Sequence, residues 1–297
     1  MSHTPNQQRI DADPSVPSEP GESRRARFVL AYRGTNFHGV APNEGVRTVL
    51  GELLAHLELV VRRPVAATVA GRTDAGVHAW GQVVTADLPV ATDLDDLRRR
   101  LNKLAAPDIA IRSADWAEVG FDARFSATSR RYRYHVWNDP VPNPLSADLS
   151  WHVARPLDLE AMQGAAADLV GEHDFASFCR RPRPAEGVDP PSTTRIVTAA
   201  QWRRLGRSPL LRFEVAATAF CHQQVRSMVG LLVDIGLGRR TADCVPAVLL
   251  ARDRAMAGTV APPHGLVLWD VGYDGRRWDA DRRPHMTTAL SQADTSP

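Results

Sequence analysis

Lysine is almost missing from this chain: Lys103 is the only one. The other basic residues are arginines, and 36 bases against 34 acids leave a net charge of only +2. Total charge therefore announces no polyanionic partner, and any such signal must lie in its distribution. Cysteine is scarce as well. Cys179, Cys221 and Cys244 are an odd number, widely spaced, with no Cys-x-x-Cys. That argues against a disulfide framework and a thiolate zinc site, and it points to a reducing compartment, the cytoplasm by default. No apolar run approaches the roughly 20 residues of a membrane helix, so no membrane partner is expected. The polar, proline-rich N-terminus lacks the apolar stretch of a signal peptide. Also missing are a Gly-x-Gly-x-x-Gly fingerprint, a Walker-type lysine loop and His-Glu-x-x-His, so no motif asks for a dinucleotide, a nucleoside triphosphate or zinc.

What is present is the composition of an ordinary globular protein, 43% hydrophobic and 24% charged. Its length suits one large domain or two modest ones. Residues 1–25 and 276–297 read as disordered tails, rich in proline, serine and acids. Between them the hydrophobic pattern changes period repeatedly. Arg27 to Tyr32 reads as a strand. Val46, Val49, Leu50, Leu53, Leu54 and Leu57 recur at helical spacing before Pro64. Val65 to Ala70 and Gly81 to Asp87 read as strands. A helix from Thr92, with Asp95 as its capping-box acid, places Leu94, Leu97, Leu101 and Leu104 on one face. Asp108 to Trp116 closes the set as a strand. The order is β-α-β-β-α-β, the split βαβ pattern.

The order then repeats more loosely. Arg131 to Trp137 is a strand, and Leu159, Met162, Ala166 and Leu169 mark a helix. Thr194 to Arg204 and Leu210 to Thr218 are strands. Val225, Met228, Val229, Leu232 and Ile235 mark a long helix, Pro246 to Arg252 a short one, and Leu266 to Val271 a last strand. The fold class that follows is α+β. Two related ferredoxin-like halves, 26–125 and 126–275, build a central, mostly antiparallel sheet with helices packed on it. A cleft between halves is a natural ligand site. Arg180 to Pro191 reads as a surface loop.

The most informative string is Ala70-Gly71-Arg72-Thr73-Asp74-Ala75-Gly76-Val77-His78-Ala79. It sets an acid two residues after an arginine, between glycines, in a loop joining two apolar runs. In an extended loop Arg72 and Asp74 point to the same side. An unperturbed aspartate has a pKa of about 3.9, and a neighbouring guanidinium only deepens its ionisation. A loop ion pair that merely pins a turn has the same local signature. Arginines also cluster, most suggestively from Arg124 to Arg133, where aromatics interleave as in RNA-binding surfaces. Elsewhere arginine abundance fits codon bias equally well.

That string closely resembles the active-site segment of the tRNA pseudouridine synthase A family. The resemblance continues at Phe121 to Ala127, Arg130 to Tyr134, Gly171 to Phe175 and Val225 to Gly230, in family order over residues 26 to 273. It implies an isomerase that detaches uracil, turns it and rejoins it through carbon, at positions 38, 39 and 40 of the tRNA anticodon stem-loop. Nothing is oxidised and no net water is added, so no cofactor is implied. The resemblance also implies tRNA as partner, a homodimer, and an active site in the cleft. Asp74 matches the catalytic aspartate, attacking the base or the sugar carbon or removing a sugar proton. Arg72 either pairs with Asp74 or fills the place left by the extruded nucleotide. Tyr132 matches the active-site tyrosine, able to stack on uracil or assist proton removal. Arg226, on an apolar helix four residues after His222, is expected to pair with Asp74 or contact the substrate, with Asp234 as the structural alternative. His78 and His222 read as packing residues. The family's usual Tyr-Asp-Gly is here Tyr32-Arg33-Gly34, its Gly-Trp-Gln is Gly39-Val40-Ala41, and its helix-starting Gln is Arg47. An inactive RNA-binding or chaperone module on the same fold is the other reading; Asp74, Arg72, Tyr132 and Arg226 together favour the enzyme.

Overall fold

A computed structural model of the chain describes residues 22–180 and 191–273. The two expected tails, apart from residues 22–25, and nearly all of the expected 180–191 loop lie outside the described residues.

The first six regular elements are β1 (Ser23–Tyr32), α1 (Val49–Val61), β2 (Ala67–Val69), β3 (His78–Pro89), α2 (Leu94–Leu104) and β4 (Ile109–Trp116). Their strands lie in the order β4-β1-β3-β2, every neighbour antiparallel. Period two explains β1: Ala26, Phe28, Leu30 and Tyr32 are buried while the intervening residues are not. α1 starts later than the apolar spacing suggests. Thr48 is its N-cap, accepting from the Gly51 N–H at 3.3 Å, and Val46 stays outside the helix and exposed. Leu50, Leu53 and Leu57 fill its inner face, each contributing roughly 1.5–3 kcal/mol by burial. Arg62, in the left-handed conformation, ends it. α2 is capped by Asp93 rather than Thr92, because one Asp93 oxygen accepts from both the Asp95 and Asp96 N–H groups. Leu97 and Leu101 are its buried residues, whereas Leu104 is exposed.

The rest of the chain adds β5 (Ser129–Trp137), β6 (Trp151–His152), α3 (Leu159–Ala167), β7 (Gly171–Asp174), β8 (Thr194–Arg204), β9 (Leu210–Ala217), α4 (Gln224–Gly236), α5 (Cys244–Ala251) and β10 (Leu266–Gly272). Setting aside the short β6, β7 and α5, this is β5-α3-β8-β9-α4-β10. The strand order β10-β5-β9-β8 repeats the order of the first set, again antiparallel throughout. β7 extends the far edge. The two sets join where β3 pairs with β10 in parallel, His78 opposite Val267 and Ala79 opposite Leu268. The result is one ten-stranded sheet.

α4 is buried along its whole length except at Arg226. It passes so close to the segment before β10 that a Cβ on Gly230 would sit 1.7 Å from the Thr259 carbonyl oxygen. Only glycine permits that approach. The contact fixes the middle of α4 against the segment that leads into β10.

Candidate active site

Residues 70–77 connect β2 to β3, and hydrogen bonds hold this loop from every side. The buried Gln82 amide brackets Gly71, donating to its carbonyl at 2.7 Å and accepting from its N–H at 3.3 Å. The Thr73 hydroxyl meets the Tyr32 hydroxyl at 2.8 Å, and the Thr73 carbonyl accepts from the Val40 N–H at 3.2 Å. A turn closes from the Val77 N–H to the Asp74 carbonyl, with Gly76 at φ +78°, a conformation that favours glycine. His78 lies just beyond. Its Nδ1 accepts from the Gly34 N–H at 3.0 Å, so its proton sits on Nε2 and is donated to the His264 carbonyl, also at 3.0 Å. Burial lowers its pKa, in keeping with a neutral packing residue.

Arg130 braces the loop from the second set of strands. Nη2 donates to the Ala70 and Arg124 carbonyls, and Nη1 donates to the Ala127 and Thr218 carbonyls, all within 3.1 Å. One guanidinium thus ties three segments together through neutral oxygens, and burial lowers its pKa.

Within this frame the Asp74 carboxylate meets α4. Arg226 Nη1 lies 3.0 Å from Oδ2, and His222 Nε2 lies 3.2 Å from Oδ1. The Asp74 side chain is 24% exposed and that of Arg226 is 14% exposed. The carboxylate is therefore mostly enclosed yet reachable. Arg226 is itself anchored, because its Nε donates to the Ala261 carbonyl at 2.8 Å. Asp234, the structural alternative, instead pairs with Arg239 at 2.7 Å.

Arg72 is exposed and makes no hydrogen bond or ion pair among the described residues. The guanidinium holding Asp74 is thus that of Arg226. The loop is not a simple extended segment, since the turn at Asp74 directs the carboxylate towards α4. Tyr132 on β5 is buried beneath the loop. Its ring stands edge-on to Phe220 at 5.2 Å, and its hydroxyl lies 4.0 Å from the Cβ position of Gly71. Burial, then the nearby Tyr32 and Asp74 charges, push its pKa above the ordinary phenol range, with Arg130 opposing. Tyr132 thus packs under the Gly71 end of the Asp74 loop.

His222, read from sequence as packing, is half-exposed and touches Asp74. Its spacing of four from Arg226 suggested a shared helical face, but α4 starts only at Gln224, after Gln223 in the left-handed conformation, so His222 reaches Asp74 from the turn that precedes the helix. Arg130 stood inside the family-like stretch Arg130 to Tyr134, but no sequence reading gave it this bracing role. The Arg124 to Arg133 cluster also divides. Arg131, Arg133 and Arg212 converge on the buried Glu214, so their charges are engaged within the protein. Burial lowers the Arg133 pKa to about 10 despite that partner. Of the arginines in this stretch only Arg124 is exposed. Arg33 pairs with Asp148. Arg47 bridges Glu52 and Asp108 and lies over the Phe37 ring at 4.2 Å. These departures from the family pattern therefore brace the segment that flanks the Asp74 loop.

The model of a family described as tRNA pseudouridine synthase matches residues 165–274. The tRNA pseudouridine synthase A of Frankia casuarinae is 46% identical over 253 residues, 84% of this chain and 89% of that protein. Its counterpart in Streptomyces griseus is 43% identical over 263 residues, 86% and 90% of the two chains. That of Caulobacter vibrioides is 41% identical over 257 residues, 84% and 98%. Identity at this level over nearly whole chains settles the kinship. The chain belongs to the tRNA pseudouridine synthase A family.

Proposed function

We propose that this protein isomerises uridine to pseudouridine in tRNA, at positions 38, 39 and 40 of the anticodon stem-loop. The observation that carries the reading is the Asp74 carboxylate, held by Arg226 and His222 in a braced loop at the junction of the two strand sets. The reaction needs an ionised carboxylate in a fixed position, a wall against which the detached base can turn, and little water. Asp74 supplies the first, by attack on the base or the sugar carbon or by taking a sugar proton. Tyr132 supplies the wall. Arg226 orients Asp74. Arg72, exposed at the mouth, meets the RNA and fills the space of the extruded nucleotide. The functional halves in this reading are residues 26–125, bearing Asp74, and 126–275, bearing Tyr132 and Arg226. The enzyme acts in the cytoplasm as a homodimer, one tRNA spanning more surface than a single cleft offers.

Asp74→Ala tests the assignment. Removing the reacting group lowers turnover by at least about 100-fold, the low end for a group acting in proton transfer. Binding of unmodified tRNA is retained, since the change leaves a cation uncovered rather than adding a negative charge. Modified uridines are mapped after incubation with each protein. Full product with the Asp74→Ala protein, or no product with wild type, overturns the proposal.

A further inference from the structure

We propose that the Arg124–Phe125 turn is a stacking platform for an unpaired base of the RNA beside the extruded uridine. The inference rests on the function proposed above and adds a binding subsite to it. Of the eight phenylalanines, Phe125 alone is exposed, at 80%. A single exposed apolar side chain is ordinary and by itself means nothing. Three further observations set this one apart.

The turn is rigid. One Asp122 oxygen accepts from the Arg124 N–H at 2.8 Å and from the Phe125 N–H at 2.9 Å, and the Ser126 hydroxyl accepts from the Asp122 N–H at 3.0 Å. The ring is therefore presented by fixed backbone. It is also paired with a cation, because the Arg124 guanidinium lies 5.4 Å from the ring centroid and makes no ion pair among the described residues. Finally, it is near the chemistry. The same Arg130 nitrogen that holds the Arg124 carbonyl at 3.1 Å holds that of Ala70 at 3.0 Å. Ala70 opens the catalytic loop, and the exposed Arg72 follows two residues later. A flat apolar ring beside an unpaired arginine, on a turn tied through Arg130 to the start of the Asp74 loop, suits a nucleobase and its phosphate: the ring takes the base face and the cation takes the backbone. An aliphatic or acidic protein partner would use the cation or the ring but not both.

The experiment measures the dissociation constant of an unmodified anticodon stem-loop RNA, and turnover on the same RNA, for wild type, Phe125→Ala, Phe125→Leu and Phe125→Trp. Loss of one stacked base weakens binding by about 5- to 150-fold in Phe125→Ala. Phe125→Leu, which keeps apolar area without a π face, remains weak, and Phe125→Trp restores wild-type affinity. Thermal midpoints stay together, since an exposed ring supports no core. Phe125→Ala within twofold of wild type overturns the platform, and wild-type affinity in Phe125→Leu overturns stacking. If wild type itself leaves the RNA unmodified, the functional reading fails first, and the two failures are thereby told apart.

Discussion

Charge and geometry at Asp74 are separable by replacing Arg226 with lysine. Arg226 makes two bonds from two nitrogens, Nε to the Ala261 carbonyl at 2.8 Å and Nη1 to Asp74 at 3.0 Å. A lysine keeps the positive charge but has one nitrogen, which serves one acceptor or the other. If it stays with Asp74 it is no longer anchored to residue 261, and the carboxylate loses its fixed bearing. A hydrogen bond to a charged group is worth about 1.5–3 kcal/mol, which corresponds to roughly 10- to 150-fold in rate if the bond acts on the reacting geometry. Arg226→Ala removes charge and anchor together. Breaking one partner of a buried ion pair costs about 3–5 kcal/mol, and the partial exposure here places the cost at the low end. The assay is release of tritium from the uracil carbon that forms the new bond, measured as kcat and KM, with thermal unfolding alongside. Arg226→Lys is expected to lower kcat by about 10-fold or more with little change in folding. Wild-type kcat in Arg226→Lys would refute the reasoning, because charge alone would then suffice and the Ala261 contact would be idle.

Two further substitutions follow from the electrostatics. Burial raises the Tyr132 pKa, so its phenol stays protonated at neutral pH and is a poor proton acceptor. Tyr132→Phe is therefore expected to keep kcat within about tenfold of wild type, whereas Tyr132→Ala costs about 3–5 kcal/mol of stability through the cavity it leaves; a Tyr132→Phe protein without turnover would assign the hydroxyl to the chemistry. Burial, with Arg212 and Arg133 nearby, lowers the His135 pKa to about 4. The unfolded chain binds that proton below about 6.5 and the folded one does not until about 4, so stability falls as pH drops through this window, by about 3 kcal/mol in all. His135→Gln should flatten that part of a pH–stability curve, and an unchanged slope would remove His135 as its source.

Period two in β1 and helical spacing in α1, α3 and α4 made the element order legible, and through it the fold class. What escaped was set by tertiary contacts. Residues 171–174 read Gly-Glu-His-Asp, without alternation or apolar weight, and form β7 only because β8 offers an open edge. Thr92 looked like the cap of α2, yet Asp93, one residue on, receives two backbone N–H groups. In the site, Asp74 and Arg226 stood out through their motifs, although 152 residues separate them. His222 was assigned to packing, and the spacing of four that seemed to put it on the helix with Arg226 misled, because the left-handed Gln223 starts α4 after it. Arg131 and Arg133 looked available to RNA, but only the β5–β9 register sets Glu214 opposite Arg133 and within reach of Arg131.

The density of the Ala70 to Ala79 string has a physical explanation that the chemistry alone does not provide. One carboxylate accounts for Asp74, not for its neighbours. Almost every other residue of the string ties the two strand sets together or holds the loop in shape. The Ala70 carbonyl receives Arg130, the amide of Gln82 brackets Gly71, and Thr73 meets Tyr32 and Val40. His78 links Gly34 in one set to His264 in the other, and Ala79 pairs with Leu268. The parallel β3–β10 junction itself registers only two residue pairs, so these contacts carry much of the join. The site therefore cannot loosen without the junction loosening too, which keeps Asp74 and Arg226 in register. Arg72 is the exception, a charged side chain in the string with no hydrogen bond or ion pair among the described residues. A long cation kept unpaired within so constrained a segment has no evident structural work. Of the two roles the sequence left open for it, pairing with Asp74 is not what the structure has, and its exposure is in keeping with the RNA contact proposed above.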